Sequence, residues 1–178
     1  MEYDKRKYNS TFQKYLRDHK ISRSNASFKV KQFIDKAENS LLIARHHKDI
    51  MPNKDQPIKL HWNYWAITIS YYSILYAAKA AILTRGFEVK DHMAAQIALG
   101  HLLIPNQLEV EYLNIMDEAY KIFTDEYVKY FEEAKIESKT ARYSAHPTYT
   151  ERKVDEIFTN AVKFIGTISI ILEDEIRT

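Results

Sequence analysis

The chain has 178 residues, of which 46% are hydrophobic and 13% aromatic, and this is enough for one domain with a real core. Three Gly and four Pro are too few for the many tight turns of an all-β protein. The net charge is only +2, and the absence of Cys excludes disulfides, thiolate metal sites and cysteine nucleophiles. We therefore expect a single all-α domain over residues 1–178.

Positive charge is concentrated at the start of the chain. Residues 1–31 contain nine basic residues against three acidic ones; the basic ones are Lys5, Arg6, Lys7, Lys14, Arg17, Lys20, Arg23, Lys29 and Lys31. Such a face can meet phosphate, but a solvated helix surface is the interpretation we prefer. The first ten residues lack the apolar core of a signal peptide, so we expect a cytoplasmic protein.

Two helices are predicted before the middle of the chain. The first covers residues 11–20 and is capped by Ser10. Its inward-facing side chains are Phe12, Tyr15 and Leu16. The second begins at Ser24 or Asn25 and ends near Ile50, before a proline-containing loop at 51–57. Its apolar stripe consists of Val30, Phe33, Ile34, Ala37, Leu41 and Ala44.

The segment 63–85 is predicted to form the helix around which the chain is organised, since residues 60–78 contain no Asp, Glu, Lys or Arg. Its small residues recur at steps of four and three and so share one helical stripe: Ala66, Ser70, Ser73, Ala77, Ala80 and Thr84. Bulky apolar residues flank this stripe on both sides, which predicts a central buried helix. Lys79 and several polar side chains argue against a membrane span. Gly86 suits the C-cap of this helix.

Three further helices are predicted in the second half. Asp91 caps a short helix through Leu103, and a long amphipathic helix runs from near Leu108 to about Lys139. The buried face of the long helix is predicted to include Leu108, Tyr112, Ile115, Ala119, Ile122 and Tyr130. The last helix begins after Thr150. Its apolar stripe is Val154, Ile157, Phe158, Ala161, Ile165, Ile168 and Leu172.

The junction at 140–150, TARYSAHPTYT, is the stretch where chemistry is most expected. The His146 imidazole can exchange protons near neutral pH, and the Arg142 guanidinium can bind phosphate through two parallel hydrogen bonds. The pair suits metal-independent RNA cleavage, in which the ribose 2′-hydroxyl attacks the neighbouring phosphorus. In the alternative interpretation, Arg142 caps helix carbonyls and His146 only packs in the turn.

The run 70–92, SYYSILYAAKAAILTRGFEVKDH, resembles the signature of HEPN domains. The matching positions are Tyr71, Tyr72, Tyr76, Ala77, Ala78, Leu83, Gly86, Lys90 and His92. The run ARYSAHPTY before the last helix is similar to the Arg-containing motif of the same family. This resemblance extends over about residues 10–175 in helix order. It implies an antiparallel up-and-down bundle of about five helices, commonly a homodimer and often paired with a small nucleotidyltransferase as toxin and antitoxin.

Active members of the family look like metal-independent RNases that use an Arg and a His from both protomers, separated by about four to six residues. For this chain the resemblance implies Arg142 and His146 as catalytic residues. The neighbouring candidates for contacts to RNA or a nucleotide are Lys139, Tyr143, Tyr149 and Arg152. Related branches keep the Arg but carry Asp-Tyr in place of the His, and look like noncatalytic modules that bind a nucleotide or a nucleotidyltransferase.

Both possibilities stay open for this sequence. Tyr143, Ser144 and Ala145 are the only residues between Arg142 and His146, so the spacing is one shorter than in the catalytic motif. If the chain belongs to the noncatalytic branch, Tyr149 would stand at the Tyr of the Asp-Tyr pair.

No cofactor or metal site is expected from the other histidines. His46 and His47 are adjacent, so in a helix they point about 100° apart. His92 and His101 lack an acidic residue at ligand spacing. His92 matches the Lys-x-His of the family and is expected to pack or to cap a helix.

Overall fold

The structure is a computed structural model, and it describes residues 3–49, 59–137 and 151–176. These residues form six helices and one pair of short strands, which confirms the predicted all-α bundle. In chain order the elements are α1 (Lys5–Arg17), β1 (Ile21–Arg23), α2 (Phe28–Asp49), α3 (Lys59–Thr84), β2 (Phe87–Val89), α4 (His92–Leu102), α5 (Glu111–Glu137) and α6 (Glu151–Ile176). The loop predicted at 51–57 lies outside the described residues.

Helix α3 is the centre of the bundle and contacts α2, α4, α5, α6 and β2. Its small residues are buried as predicted: Ala66, Ser70, Ser73, Ala77 and Ala80. The Ser70 hydroxyl donates to the carbonyl of Ala66 at 2.7 Å, and the Ser73 hydroxyl donates to that of Ser70 at 2.7 Å. Because both hydroxyls are satisfied within the helix, they can be buried at low cost. The stripe therefore lets α2 and α6 pack directly against α3.

The bundle covers most, but not all, of this helix. The window Trp65–Thr84 has the length and composition of a membrane span, yet 78% of it is buried, as in the core helix of a folded domain. Two large side chains on one flank depart from the expectation of burial, since Trp65 is 49% exposed and Tyr72 is 38% exposed. One edge of α3 is therefore not covered by the described residues.

The amphipathic stripes of the other long helices face α3. The whole predicted stripe of α6 is buried: Val154, Ile157, Phe158, Ala161, Ile165, Ile168 and Leu172. Helix α5 begins at Glu111 rather than near Leu108, and its residues Tyr112, Ile115 and Ala119 are buried. The hydroxyl of Tyr112 lies 2.8 Å from the hydroxyl of Thr167 on α6. Tyr130 lies outside the residues whose side chains are described.

Helix α1 begins earlier than predicted. Its cap is Asp4 rather than Ser10, and the Asp4 carboxylate accepts hydrogen bonds from the backbone N–H of Arg6 at 2.9 Å and of Lys7 at 3.3 Å. A carboxylate at this position also interacts favourably with the positive end of the helix dipole. The extra turn carries Tyr8, which is buried. The predicted inward-facing residues of α1 do pack against the core: Phe12, Tyr15 and Leu16.

Helix α2 begins later than predicted, at Phe28 rather than at Ser24 or Asn25. The Ser24 hydroxyl instead accepts a hydrogen bond from the backbone N–H of Ala26, within a turn that precedes the helix. Ala37 and Ala44 are fully buried, as predicted for the stripe of α2.

The strand pair is the element that the sequence analysis missed. Strands β1 and β2 pair antiparallel with Ile21 opposite Val89, in two segments for which no strand was predicted. The β-branched and aromatic residues Ile21, Phe87 and Val89 are the signal for strands, but each run is only three residues long. The pairing joins the end of α1 to the end of α3.

The turns at both sides of β2 were predicted correctly. Gly86 has a φ of +77° and donates its N–H to the carbonyl of Leu83 at 2.9 Å, which ends α3. Asp91 caps α4, since its carboxylate accepts a hydrogen bond from the backbone N–H of Ala94 at 2.8 Å.

The bundle has two distinct ends. At one end, Val154 and Ile157 at the start of α6 cluster with Ala66 and Ile67 near the start of α3; we name this the helix-start end. At the other end, which we name the strand end, α3 reaches Gly86 and the strand pair. Helices α3 and α6 therefore run in the same direction.

Candidate functional site

Most of the predicted site lies outside the described residues. This applies to both predicted catalytic residues, Arg142 and His146, and to Lys139, Tyr143 and Tyr149. The capping residue Thr150 lies outside them as well. The described part of the site is the start of α6, which holds Arg152.

The two cations in the first turn of α6 have different surroundings. Arg152 is exposed and pairs with no described residue. Lys153, in contrast, contacts the carboxylates of Glu118 on α5 and of Glu156, the latter at 3.2 Å. Although burial opposes the charged form, these hydrogen bonds raise the pKa of Lys153. The ammonium of Lys153 is therefore neutralised by carboxylates of the protein, whereas the guanidinium of Arg152 can bind an anion from solution.

The first turns of α6 are fixed by three other helices. Val154 and Ile157 pack against Ala66 and Ile67 of α3, and Ile122 of α5 packs against the same cluster. On the other side, the Lys48 ammonium of α2 contacts the Asp155 carboxylate at 2.9 Å. The point at which the segment 138–150 joins α6 is thus held by apolar packing and by ion pairs.

A buried histidine lies deeper in the bundle. His92 begins α4 directly after its cap and is only 4% exposed. Its ring stacks on that of Tyr120 with centroids 3.8 Å apart and an interplanar angle of 11°. Neither ring nitrogen has a hydrogen-bond partner among the described residues. Burial lowers the pKa of His92 to about 4, although Asp117 and Asp91 oppose this shift, so the imidazole is neutral at neutral pH.

Aromatic rings surround this imidazole. Tyr71 lies 5.7 Å from His92 between ring centroids and stacks on Phe123 at 4.6 Å and 14°. Burial also raises the pKa of the Tyr71 hydroxyl. We name Tyr71, His92, Tyr120 and Phe123 the His92 cluster. The expectation that His92 packs in the core is confirmed by this arrangement, and the cluster joins the middle of α3 and the middle of α5 to the start of α4.

Two cavities at the strand end were not anticipated. The larger has a volume of about 700 Å³ and lies between α2, the end of α3 and α6, with apolar walls that include Val30, Ile34, Leu83 and Leu172. The smaller, of about 310 Å³, includes Lys79 of α3. The signal in the sequence is Lys79 itself, the only Asp, Glu, Lys or Arg between positions 60 and 84.

Groups of three or more His, Cys, Asp or Glu side chains that could hold a metal ion do not occur among the described residues. The His46 and His47 rings lie 6.0 Å apart between centroids with an interplanar angle of 63°.

The chain matches no family model, and no curated protein sequence matches it.

Proposed function

We propose that this protein is a HEPN-type helical domain that cleaves RNA without a metal ion, with Arg142 and His146 as its catalytic residues. The observation that carries this proposal is the sequence ARYSAHPTY, which directly precedes the long helix α6 in an all-α bundle. The start of α6 at Glu151 supports the proposal, because a final long helix also follows the Arg-containing motif of the family. We place the reaction in the cytoplasm.

The proposed reaction needs two groups on one phosphodiester. The ribose 2′-hydroxyl attacks the adjacent phosphorus, the O5′–P bond of the following nucleotide breaks, and His146 moves a proton in this transfer. Arg142 neutralises the charge that grows on the non-bridging phosphoryl oxygens. In a homodimer, both protomers would contribute these residues to one cleft.

Neighbouring residues supply the binding energy for RNA in this proposal. Lys139 and Arg152 neutralise phosphates, while Tyr143 and Tyr149 stack on unpaired bases. The exposure of Arg152 in the first turn of α6 supports its part, because the N-terminus of a helix attracts phosphate through free N–H groups and the helix dipole.

The second candidate is a noncatalytic module that binds a nucleotide or a nucleotidyltransferase partner of the antitoxin type. The observation that favours it is the separation of Arg142 and His146 by three residues only. In a helical segment this spacing turns His146 by about 100° relative to a spacing longer by one residue. Arg142 and Tyr149 would then bind the ligand without cleaving it.

The test is cleavage of a single-stranded RNA by the purified protein in the presence of EDTA. We expect cleavage by the wild type and a loss of at least about 100-fold in Arg142→Ala and in His146→Ala. Arg17→Ala and His46→Ala, at exposed positions in α1 and α2, are matched controls and should cleave as the wild type does. Unchanged cleavage in both junction variants would contradict the proposal.

The same proteins separate the two candidates. If the wild type does not cleave RNA but retains a nucleotide or a co-expressed nucleotidyltransferase, and Arg142→Ala and Tyr149→Ala lose that retention, the module is supported. A wild type that neither cleaves nor retains any of these ligands contradicts both candidates.

A further inference from the structure

The smaller cavity at the strand end has the composition of an anion site. It has a volume of about 310 Å³ and is lined by Ser22, Phe33, Lys79, Glu88, Val89 and Lys90. Five of these residues belong to the four elements β1, α2, α3 and β2, and Lys90 directly follows β2. The cavity is therefore part of the folded architecture rather than a feature of one surface loop.

Lys79 occupies an unusual position for an ammonium group. It is half-buried on the central helix α3, and burial lowers its pKa. It makes no hydrogen bond or ion pair with any residue that the structure describes. An ammonium withdrawn from water without a carboxylate partner is costly, and an anion in the cavity would offset that cost.

The nearest carboxylates already have other partners. The Glu88 carboxylate contacts the Lys29 ammonium at 2.6 Å. The Asp91 carboxylate caps α4 and accepts a hydrogen bond from the backbone N–H of Ala94. Burial lowers the pKa of Lys79 by more than the charges of Asp91 and Glu88 raise it. They leave the ammonium of Lys79 without a direct counter-ion.

Further positive charge surrounds the cavity. Lys90 lines it and is exposed, so its ammonium can turn toward a ligand. The Lys36 ammonium lies 5.9 Å from the centre of the Phe33 ring and disfavours the charged form of Lys79. Since the carboxylate of Glu88 is neutralised by Lys29, the local balance of charge is positive.

We propose that this cavity binds the phosphate group of a small phosphomonoester. The ammonium groups of Lys79 and Lys90 provide the charge, as lysines do in many phosphate sites, and the Ser22 hydroxyl can donate a hydrogen bond. Phe33 and Val89 form an apolar wall for the remainder of the ligand. The volume lies at the lower limit of small-molecule pockets, which run from about 300 to 1,000 Å³.

The cavity lies away from the start of α6. Lys79 lies in the last turns of α3, whereas the start of α6 packs against Ala66 and Ile67 near the other end of that helix. At a rise of about 1.5 Å per residue, the separation along α3 is roughly 18 Å. The phosphate site can therefore exist whether or not Arg142 and His146 cleave RNA.

The test is isothermal titration of the full chain with inorganic phosphate and with phenyl phosphate. We expect both to bind, and phenyl phosphate to bind about tenfold more tightly through its contact with the apolar wall. Equal affinities would support binding of the phosphate group alone. Lys79→Met should weaken both by at least about tenfold, and Lys90→Met should weaken both to a smaller degree.

Lys163→Met is the matched control, because Lys163 pairs with Glu111 on the α5–α6 face and lies outside the cavity. Its affinity should equal that of the wild type. Absence of binding up to about 10 mM, or an equal loss in all three lysine variants, would overturn the proposal. If circular dichroism shows that Lys79→Met does not fold, the test rests on Lys90→Met. Weaker phosphate binding by this variant than by the wild type supports the site, and unchanged binding overturns it.

Discussion

His92 places a neutral imidazole in the core without a hydrogen-bond partner among the described residues. Its pKa is lowered to about 4 in the folded protein, against a usual value of about 6.5 in an unfolded chain. Between these two values the unfolded chain binds a proton that the folded protein does not. Acid therefore favours unfolding. The contribution of this pKa shift to the free energy of unfolding is fully present above about pH 6.5 and is lost as the pH falls toward 4.

Replacing His92 with Phe should remove this dependence. Phe keeps the stacking on Tyr120 and eliminates two unsatisfied nitrogens, so we expect an equal or higher free energy of unfolding at pH 7. Between pH 7 and pH 5, the wild type should lose roughly 2 kcal/mol more than the variant. Urea unfolding at both pH values measures this difference. His47 and His101, whose pKa values burial also lowers, are present in both proteins and cancel in the comparison.

Two results would contradict this account of His92. One is an equal loss of stability in both proteins between pH 7 and pH 5. The other is strong destabilisation of His92→Phe at pH 7, which would mean that the imidazole has a polar partner, such as a water molecule, that Phe cannot replace.

The docking of α1 on α4 depends on one glycine. A Cβ built at Gly100 would lie 2.2 Å from Cδ1 of the buried Tyr8 ring, far inside van der Waals contact. The Tyr3 hydroxyl reinforces the same approach by donating to the carbonyls of Gly100 at 2.9 Å and of Ile104 at 3.1 Å. The two helices can approach this closely because residue 100 has no side chain.

Two Gly→Ala substitutions test that dependence. Gly100→Ala should reduce the free energy of unfolding by about 1 to 3 kcal/mol, because the Tyr8 ring must leave its place. Gly166→Ala is the control: it lies within α6, is exposed, and its added Cβ meets nothing within 4 Å. It should stabilise the protein by roughly 0.5 to 1 kcal/mol, since Ala favours the helix. Equal effects in urea unfolding would show that the contact with Tyr8 does not matter.

At the scale of elements, the sequence predicted what local patterns determine. The stripes of α3 and α6, the positive φ of Gly86 and the cap at Asp91 follow from residue type and spacing, and the structure agrees. The strand pair could not be predicted, because each strand depends on a partner distant in the sequence. The early start of α1 was missed because Asp4 and Ser10 are both competent caps.

The candidate sites were predictable to a smaller degree. Arg142 and His146 can be selected from the sequence because their residue types suit phosphate chemistry. The surroundings of Lys79 cannot, since its lack of a counter-ion arises only when Lys29 pairs with Glu88 across the fold. Residue type identifies a candidate, whereas the pairing of charges depends on tertiary structure.

For the whole molecule, the parallel packing of α6 on α3 has a consequence for the order of folding. Helices α2 and α3 are neighbours in sequence, whereas Val154 and Ile157 must return to Ala66 and Ile67 across about half of the chain. Closing a long loop costs more entropy than closing a short one. The pair α2–α3 should therefore form first and the contact with α6 later.

Pulsed hydrogen exchange during refolding would reveal this order. Amides of α2 and α3 should gain protection in an earlier phase than those of α6, and protection of α6 in the same phase or before would contradict it. Until α6 packs, the apolar helix α3 exposes the surface that α6 covers in the folded protein. Such an intermediate is prone to self-association, so the yield of refolded protein should fall as the protein concentration rises.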